Sequence, residues 1–170
     1  MTMKETIKER LSPNFNQRPA GTSINLIVLH YTDLPTADEA LDRLCDPEHE
    51  VSAHYLIAED GDTFRIVADH HRAWHAGVSV WEGVHNVNDY SIGIELANPG
   101  HSHGYLPFPA PQIDALITLL GVLCAAHTID PARVVGHSDI APTRKQDPGH
   151  LFPWHNLYKR GYGLWPRAIL

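Results

Sequence analysis

At 170 residues, 43% hydrophobic and 19% charged, the chain is sized for one domain with a real core and is too apolar for long disorder. Its formal charge of -7 works against nucleic acid and anionic surfaces, whose binding needs clustered Lys and Arg, and favours a neutral or small substrate. Two cysteines, Cys45 and Cys124, are too few for a disulfide framework and read as free core thiols, with a single bridge as the alternative.

The opening stretch MTMKETIKERLSPNFNQRPAG is polar and mixed in charge, without the apolar core of a secretory signal, and no run approaches the ~18 apolar residues of a membrane span. A cytoplasmic location with no membrane partner is the expectation. Pro13, Asn14 and Pro19 suggest an extended N-terminal arm over residues 1–23, followed by one domain over residues 24–166. Residues 24–30 (INLIVLH) form a short β-branched run after a turn signal, which predicts a buried strand delivering His30 to its C-terminal edge. Thr36 before Ala37, Asp38 and Glu39, with Ala40, Leu41 and Leu44 at helical spacing, predicts a capped amphipathic helix ending near Cys45 and stopped by Pro47.

Residues 54–58 (HYLIA) and 63–67 (TFRIV) flank Glu59-Asp60-Gly61-Asp62, a hairpin signal, and residues 91–96 (SIGIEL) alternate as a further strand. Between them, residues 68–90 are rich in His, Trp, Gly and Asn and read as a binding loop. Residues 111–127 are apolar on most of their circumference and predict the long, largely buried helix. Residues 134–136 are a short strand feeding His137, and the rest is loop with one helical turn near residues 156–160. Strands alternating with helices predict a single α/β domain, a central mixed sheet flanked by helices.

Three strand ends thereby present His30, Glu95 and His137, and the following loop adds Lys145 and Asp147. Zinc takes imidazole nitrogen and carboxylate oxygen, and hydrolytic sites keep three protein ligands with a fourth position open. His30, His137 and Asp147 meet that description. Each alone also has an ordinary reading, since a strand-end His is commonly a hydrogen-bonded structural residue and Asp before Pro-Gly a turn former. Their dispersed positions match no local zinc signature, so on residue chemistry both readings stay open.

Five motifs add what spacing does not: LIVLHYT (residues 26–32), VSAHYLIAEDG (51–61), RAWHAG (72–77), NDYSIGIELAN (88–98) and VVGHSDIAPTRKQDPG (134–149). In this order, over roughly residues 24–154, the chain resembles the zinc-dependent N-acetylmuramoyl-L-alanine amidases of the type-2 family, which include the AmpD and AmiD amidases, amidase-type phage lysozymes and peptidoglycan recognition proteins. The resemblance implies zinc held by His30, His137 and Asp147, with Glu95 as the catalytic acid and base and Lys145 as the catalytic cation. A Tyr that serves catalysis in phage lysozymes is replaced here by Ala53, which puts the load on Glu95.

It further implies that Trp74 and His75 line the substrate groove, with a purely structural Trp plug as the alternative. Tyr31 and His54 are further candidate substrate contacts, the alternatives being a shield for the metal at Tyr31 and, at His54, orienting a neighbour or packing. The implied reaction is hydrolysis of the amide between N-acetylmuramic acid and the L-alanine of the stem peptide. The 1,6-anhydro form in soluble muropeptides is the first expectation for the substrate. A broader lysin-like amidase cutting polymeric peptidoglycan is the alternative, and a non-catalytic muropeptide-binding module a remoter one. Oligomeric state is not readable.

Overall fold

In the computed structural model, residues 7–166 are described, so the first six residues of the expected arm lie outside the described residues. Three apolar segments form the sheet's centre: β3 (Leu26–Tyr31), β9 (Ser91–Leu96) and β10 (Val134–Gly136). All three run parallel with β3 in the middle. β4 (Tyr55–Ile57) extends the parallel set along β9, and β5 (Thr63–Arg65) returns antiparallel beside it. β1 (Lys8–Glu9) closes that edge parallel to β5, giving the order β1-β5-β4-β9-β3-β10. The expected mixed α/β sheet is what forms. The Asp-Gly signal sits at the β4–β5 turn, where Ala58 and Asp62 share a backbone hydrogen bond and Gly61 takes a φ of 96°.

One helix covers each face. α1 (Ala37–Cys45) is capped by Thr36, whose hydroxyl accepts from the Glu39 N–H at 3.2 Å, and it buries Ala40, Leu41 and Leu44 against Leu56, Ile66 and Val67. On the opposite face, α2 (Ala110–His127) packs Leu116, Leu120 and Leu123 on Ile27, Leu29, Ile92, Ile94 and Leu96. Each side chain of that kind contributes about 1.5–3 kcal/mol on full burial. At 18 residues and a mean hydropathy of 1.4, α2 is long and apolar enough by composition to cross a membrane, contrary to the expectation that no run approaches that limit. Its inner face is instead the floor of the core, since the sheet supplies the apolar surface that lipid would otherwise offer.

Several elements have too few residues to show a period. In the N-terminal segment, β1 joins the main sheet and β2 (Phe15–Gln17) pairs antiparallel with β6 (His71–Ala73). Arg18 is tied in just as firmly, donating to the carbonyls of Asp69, Asn88, Asp89 and Ser91. The stretch expected as a binding loop holds β6, a tight hairpin of β7 (Val80–Trp81) and β8 (Val84–His85), and a 3-10 turn at Val87–Asp89. Glu82 and Gly83 both take positive φ in the hairpin turn, a geometry more usually written Asn-Gly, so the composition gave no hairpin signal. α3 (His137–Ile140) replaces expected loop, and α4 (Trp154–Lys159) lies near the helical turn read from the sequence.

Candidate active site

Parallel pairing in register sets His30 on β3 opposite Glu95 on β9, on the face away from α2. β10 runs on the other side of β3 and ends one residue before His137, so this imidazole emerges beside His30. The loop beyond α3 folds back, the Ser138 N–H donating to the Asp147 carbonyl at 3.0 Å, and buries the Asp147 carboxylate between the two rings. His30 Nδ1 lies 3.0 Å from His137 Nδ1, and Asp147 Oδ2 lies 3.2 and 3.1 Å from these two atoms. Among the described residues this trio forms the one group arranged to hold a metal ion.

The electrostatics agree with that use. His137 Nε2 is 3.0 Å from the Ala76 carbonyl, which only accepts, so Nε2 carries a proton and Nδ1 is the atom turned toward His30 and Asp147. Burial, aided by the neighbouring His137, lowers the pKa of His30 to about 4 and keeps its ring neutral at ordinary pH. Two imidazole nitrogens and a carboxyl oxygen therefore face one another. Their 3.0–3.2 Å spacing is close to the ~3.3 Å edge of a tetrahedron with bonds of ~2.0 Å, so the donor set fits a small cation such as zinc.

These atoms form one wall of an open cavity of about 540 Å³, which Glu95 and Lys145 also line. Glu95 is half-buried, and its Oε2, shielded from solvent, has no hydrogen-bond partner. Burial, reinforced by Asp147 and opposed by Lys145, holds its pKa well above the ordinary carboxyl value, which suits a group that must both take and return a proton. Beside Lys145 on the cavity wall, Arg144 donates to the Ala76 and Val78 carbonyls at 2.7 and 2.8 Å.

Of the four expected substrate contacts, Tyr31, Trp74 and His75 line the cavity and His54 does not. Tyr31 hydroxyl pairs with His101 Nδ1 at 2.7 Å, and the Trp74 indole donates to Asn16 Oδ1 at 3.2 Å. His54 is fully buried: its Nδ1 accepts from the Gly93 N–H at 3.0 Å, its Nε2 reaches the His71 carbonyl, and burial pushes its pKa down to about 3. It braces the sheet, so its expected contact with substrate is withdrawn. His75 also departs from expectation, because both ring nitrogens are committed inside the protein, to His30 Nε2 and to Ser91 Oγ. Ser91 is not among the expected site residues. Alternation along SIGIEL puts Ser91, Gly93 and Glu95 on one face, a pattern that could have flagged it.

The profile of the N-acetylmuramoyl-L-alanine amidase family matches residues 20–150. The chain belongs to this amidase family. It is 42% identical over 157 residues to N-acetylmuramoyl-L-alanine amidase AmiD of Escherichia coli (strain K12), covering 85% of this chain and 56% of AmiD. The chain thus spans little more than half of AmiD. Against 1,6-anhydro-N-acetylmuramyl-L-alanine amidase AmpD of Haemophilus influenzae it is 37% identical over 161 residues, covering 84% of this chain and 85% of AmpD. Among solved structures, E. coli AmiD in complex with anhydro-N-acetylmuramic acid-L-Ala-D-gamma-Glu-L-Lys superposes with a TM-score of 0.79 at 41% identity, covering 90% of this chain and 63% of that one. A selenomethionine AmpD superposes with a TM-score of 0.81 at 30% identity, covering 94% and 96%. This amidase-family chain therefore shares the mixed α/β fold of both branches.

Proposed function

We propose that the chain is a zinc-dependent amidase that hydrolyses the bond between the lactyl carbonyl of N-acetylmuramic acid and the L-alanine nitrogen of the stem peptide. His30, His137 and Asp147 would hold the zinc. When bound, zinc supplies Lewis acidity, polarising a carbonyl and lowering the pKa of water from ~15.7 toward ~7. Glu95 takes the proton of the attacking water and returns it to the departing amine, so the carbon–nitrogen bond breaks with a neutral leaving group. Lys145 sets its ammonium against the oxyanion of the tetrahedral intermediate, a contribution of about 3–4 kcal/mol for one well-placed donor. Tyr31 and Trp74 shape the walls that orient the muropeptide.

The observation that carries this reading is the unpartnered Glu95 oxygen, buried in the same cavity as the donor trio. An acid left without a partner inside a protein is costly, and a proton-transfer role accounts for it. The substrate proposed is the soluble 1,6-anhydro muropeptide of peptidoglycan recycling. Support comes from the AmpD relatives, named for that bond, and from AmiD, whose complex holds an anhydro-muramyl tripeptide. Mass spectrometry of products from a soluble anhydro-muropeptide and, in parallel, from insoluble sacculi tests it. Stem peptide released from the soluble substrate alone fits the recycling reading, release from both moves the reading to a wall amidase, and release from neither by zinc-loaded protein leaves a binding module.

A further inference from the structure

His75 is only 9% exposed and sits outside the donor trio, yet it touches one of its members. Its Nδ1 lies 3.0 Å from His30 Nε2 and its Nε2 lies 3.0 Å from Ser91 Oγ. The far end of this chain fixes the direction of every bond in it. Ser91 Oγ is also 2.7 Å from the Val87 carbonyl, which only accepts, so the hydroxyl proton points there. Ser91 Oγ must then accept from His75, which places the His75 proton on Nε2 and leaves Nδ1 bare. The bare Nδ1 accepts from His30 Nε2, and a neutral His30 then carries its lone pair on Nδ1, the atom that faces His137 and Asp147.

The surrounding backbone is shaped for this ring. A Cβ on Gly93 would come within 2.4 Å of His75 Cγ and 2.6 Å of its Cδ2 and Nδ1, so the ring fits only over a glycine. Asn88 Oδ1 accepts from the backbone N–H of both His75 and Ala76, at 3.1 and 2.8 Å, and pins the loop where the ring must enter. Successive outward positions of β9 thus supply a hydroxyl, a space and an acid.

We propose that His75 is a positioning residue: the Val87 carbonyl, Ser91 and His75 form a relay that sets the tautomer and ring orientation of His30, presenting Nδ1 rather than Nε2 to the metal. The proposal rests on reading His30, His137 and Asp147 as a zinc site. A ligand imidazole whose other nitrogen is held by an acceptor is oriented and made more basic, and loss of such a partner typically weakens metal affinity 10–100-fold.

Long-range proton–nitrogen NMR of the metal-free wild-type chain, labelled at histidine, reads the tautomers directly. The expected result is an Nε2–H ring at both His30 and His75, and an Nδ1–H ring at either position overturns the relay. Zinc competition against a chromophoric chelator gives the second readout. His75→Leu should lower zinc affinity about 10–100-fold, whereas His75→Asn, whose Oδ1 replaces the accepting nitrogen, should stay within about threefold of wild type. Thermal unfolding checks that each variant is folded, and Ser91→Ala, which releases the far end of the relay, takes the place of His75→Leu if that variant does not fold. Unchanged zinc affinity in a folded His75→Leu, or in Ser91→Ala standing in for it, overturns the proposal. A wild-type chain that binds no zinc overturns the reading of the metal site instead, whatever its tautomers.

Discussion

Toward α2, the strands β3 and β9 present Ile27, Leu29, Ile92, Ile94 and Leu96, all inaccessible to solvent. The alternate positions point to the other face, where Leu26 and Val28 are packed and His30, Ser91, Gly93 and Glu95 form the polar part, His30 and Glu95 lining the cavity. The same backbone serves both. The apolar face contributes through area, at about 25 cal/mol per Å² and without direction, whereas the polar face works only if each nitrogen and oxygen meets one particular partner. A step of one residue along a strand therefore crosses from stability to chemistry, and substitutions on the two faces should fail in different ways.

The largest separation is expected at Glu95. Glu95→Gln should cut kcat by roughly 10³-fold, within the 10²–10⁴ range for a lost proton-transfer group, while zinc content by metal analysis stays at wild type. Lys145→Ala should cost ~10²–10³ in kcat with little change in unfolding, because an exposed ammonium adds little to the fold. Opposite it, Leu116→Ala should lower stability by about 2–5 kcal/mol in denaturant melts and leave kcat per folded molecule unchanged. Comparable energies would then appear in separate measurements. A Leu116→Ala variant that stayed stable but lost turnover would dissolve the distinction between the faces.

Acid should find the polar face first. His30 and His54 have folded pKa values of about 4 and about 3, and His75 also lies well below the ordinary value, all chiefly through burial. Between those values and ~6.5 the unfolded chain binds more protons, so metal-free stability rises with pH and is lost as pH falls from ~6.5, by on the order of 1 kcal/mol per unit for each ring. Glu95 works with the opposite sign, since its raised pKa favours the folded state at low pH. Melting temperatures in chelator from pH 7 to pH 4 should therefore fall, and a flat profile would contradict the neutral burial of these rings. The smallest effect is at the cap of α1, where Thr36→Ala should cost about 1 kcal/mol in denaturant melts without touching kcat.

What the sequence made legible divides along the same line. The β-branched runs at residues 26–31 and 91–96, the Thr36 cap, the Asp-Gly turn and the apolar length of α2 are local patterns, and their elements form close to where those patterns lie. Two-residue strands such as β1, β7 and β8 carry no period to read, because their pairing is decided by distant neighbours. At the site, spacing alone left His30, His137 and Asp147 ambiguous, since their meeting depends on the parallel order of β9, β3 and β10. The family resemblance supplied the grouping. It did not supply the roles of His54 and His75, which follow from where each ring nitrogen points and what accepts or donates there.

The central claim is that a zinc-loaded site built from His30, His137, Asp147 and Glu95 cleaves the muramyl–L-alanine amide. Mass spectrometry of products from an anhydro-muramyl tripeptide should be run with the zinc-loaded chain, the chelator-stripped chain and the stripped chain after zinc is restored. The account predicts free peptide beginning with L-alanine in the first and third samples and none in the second. Cleavage that survives stripping, cleavage between residues of the stem peptide, or no cleavage by the zinc-loaded chain would contradict it.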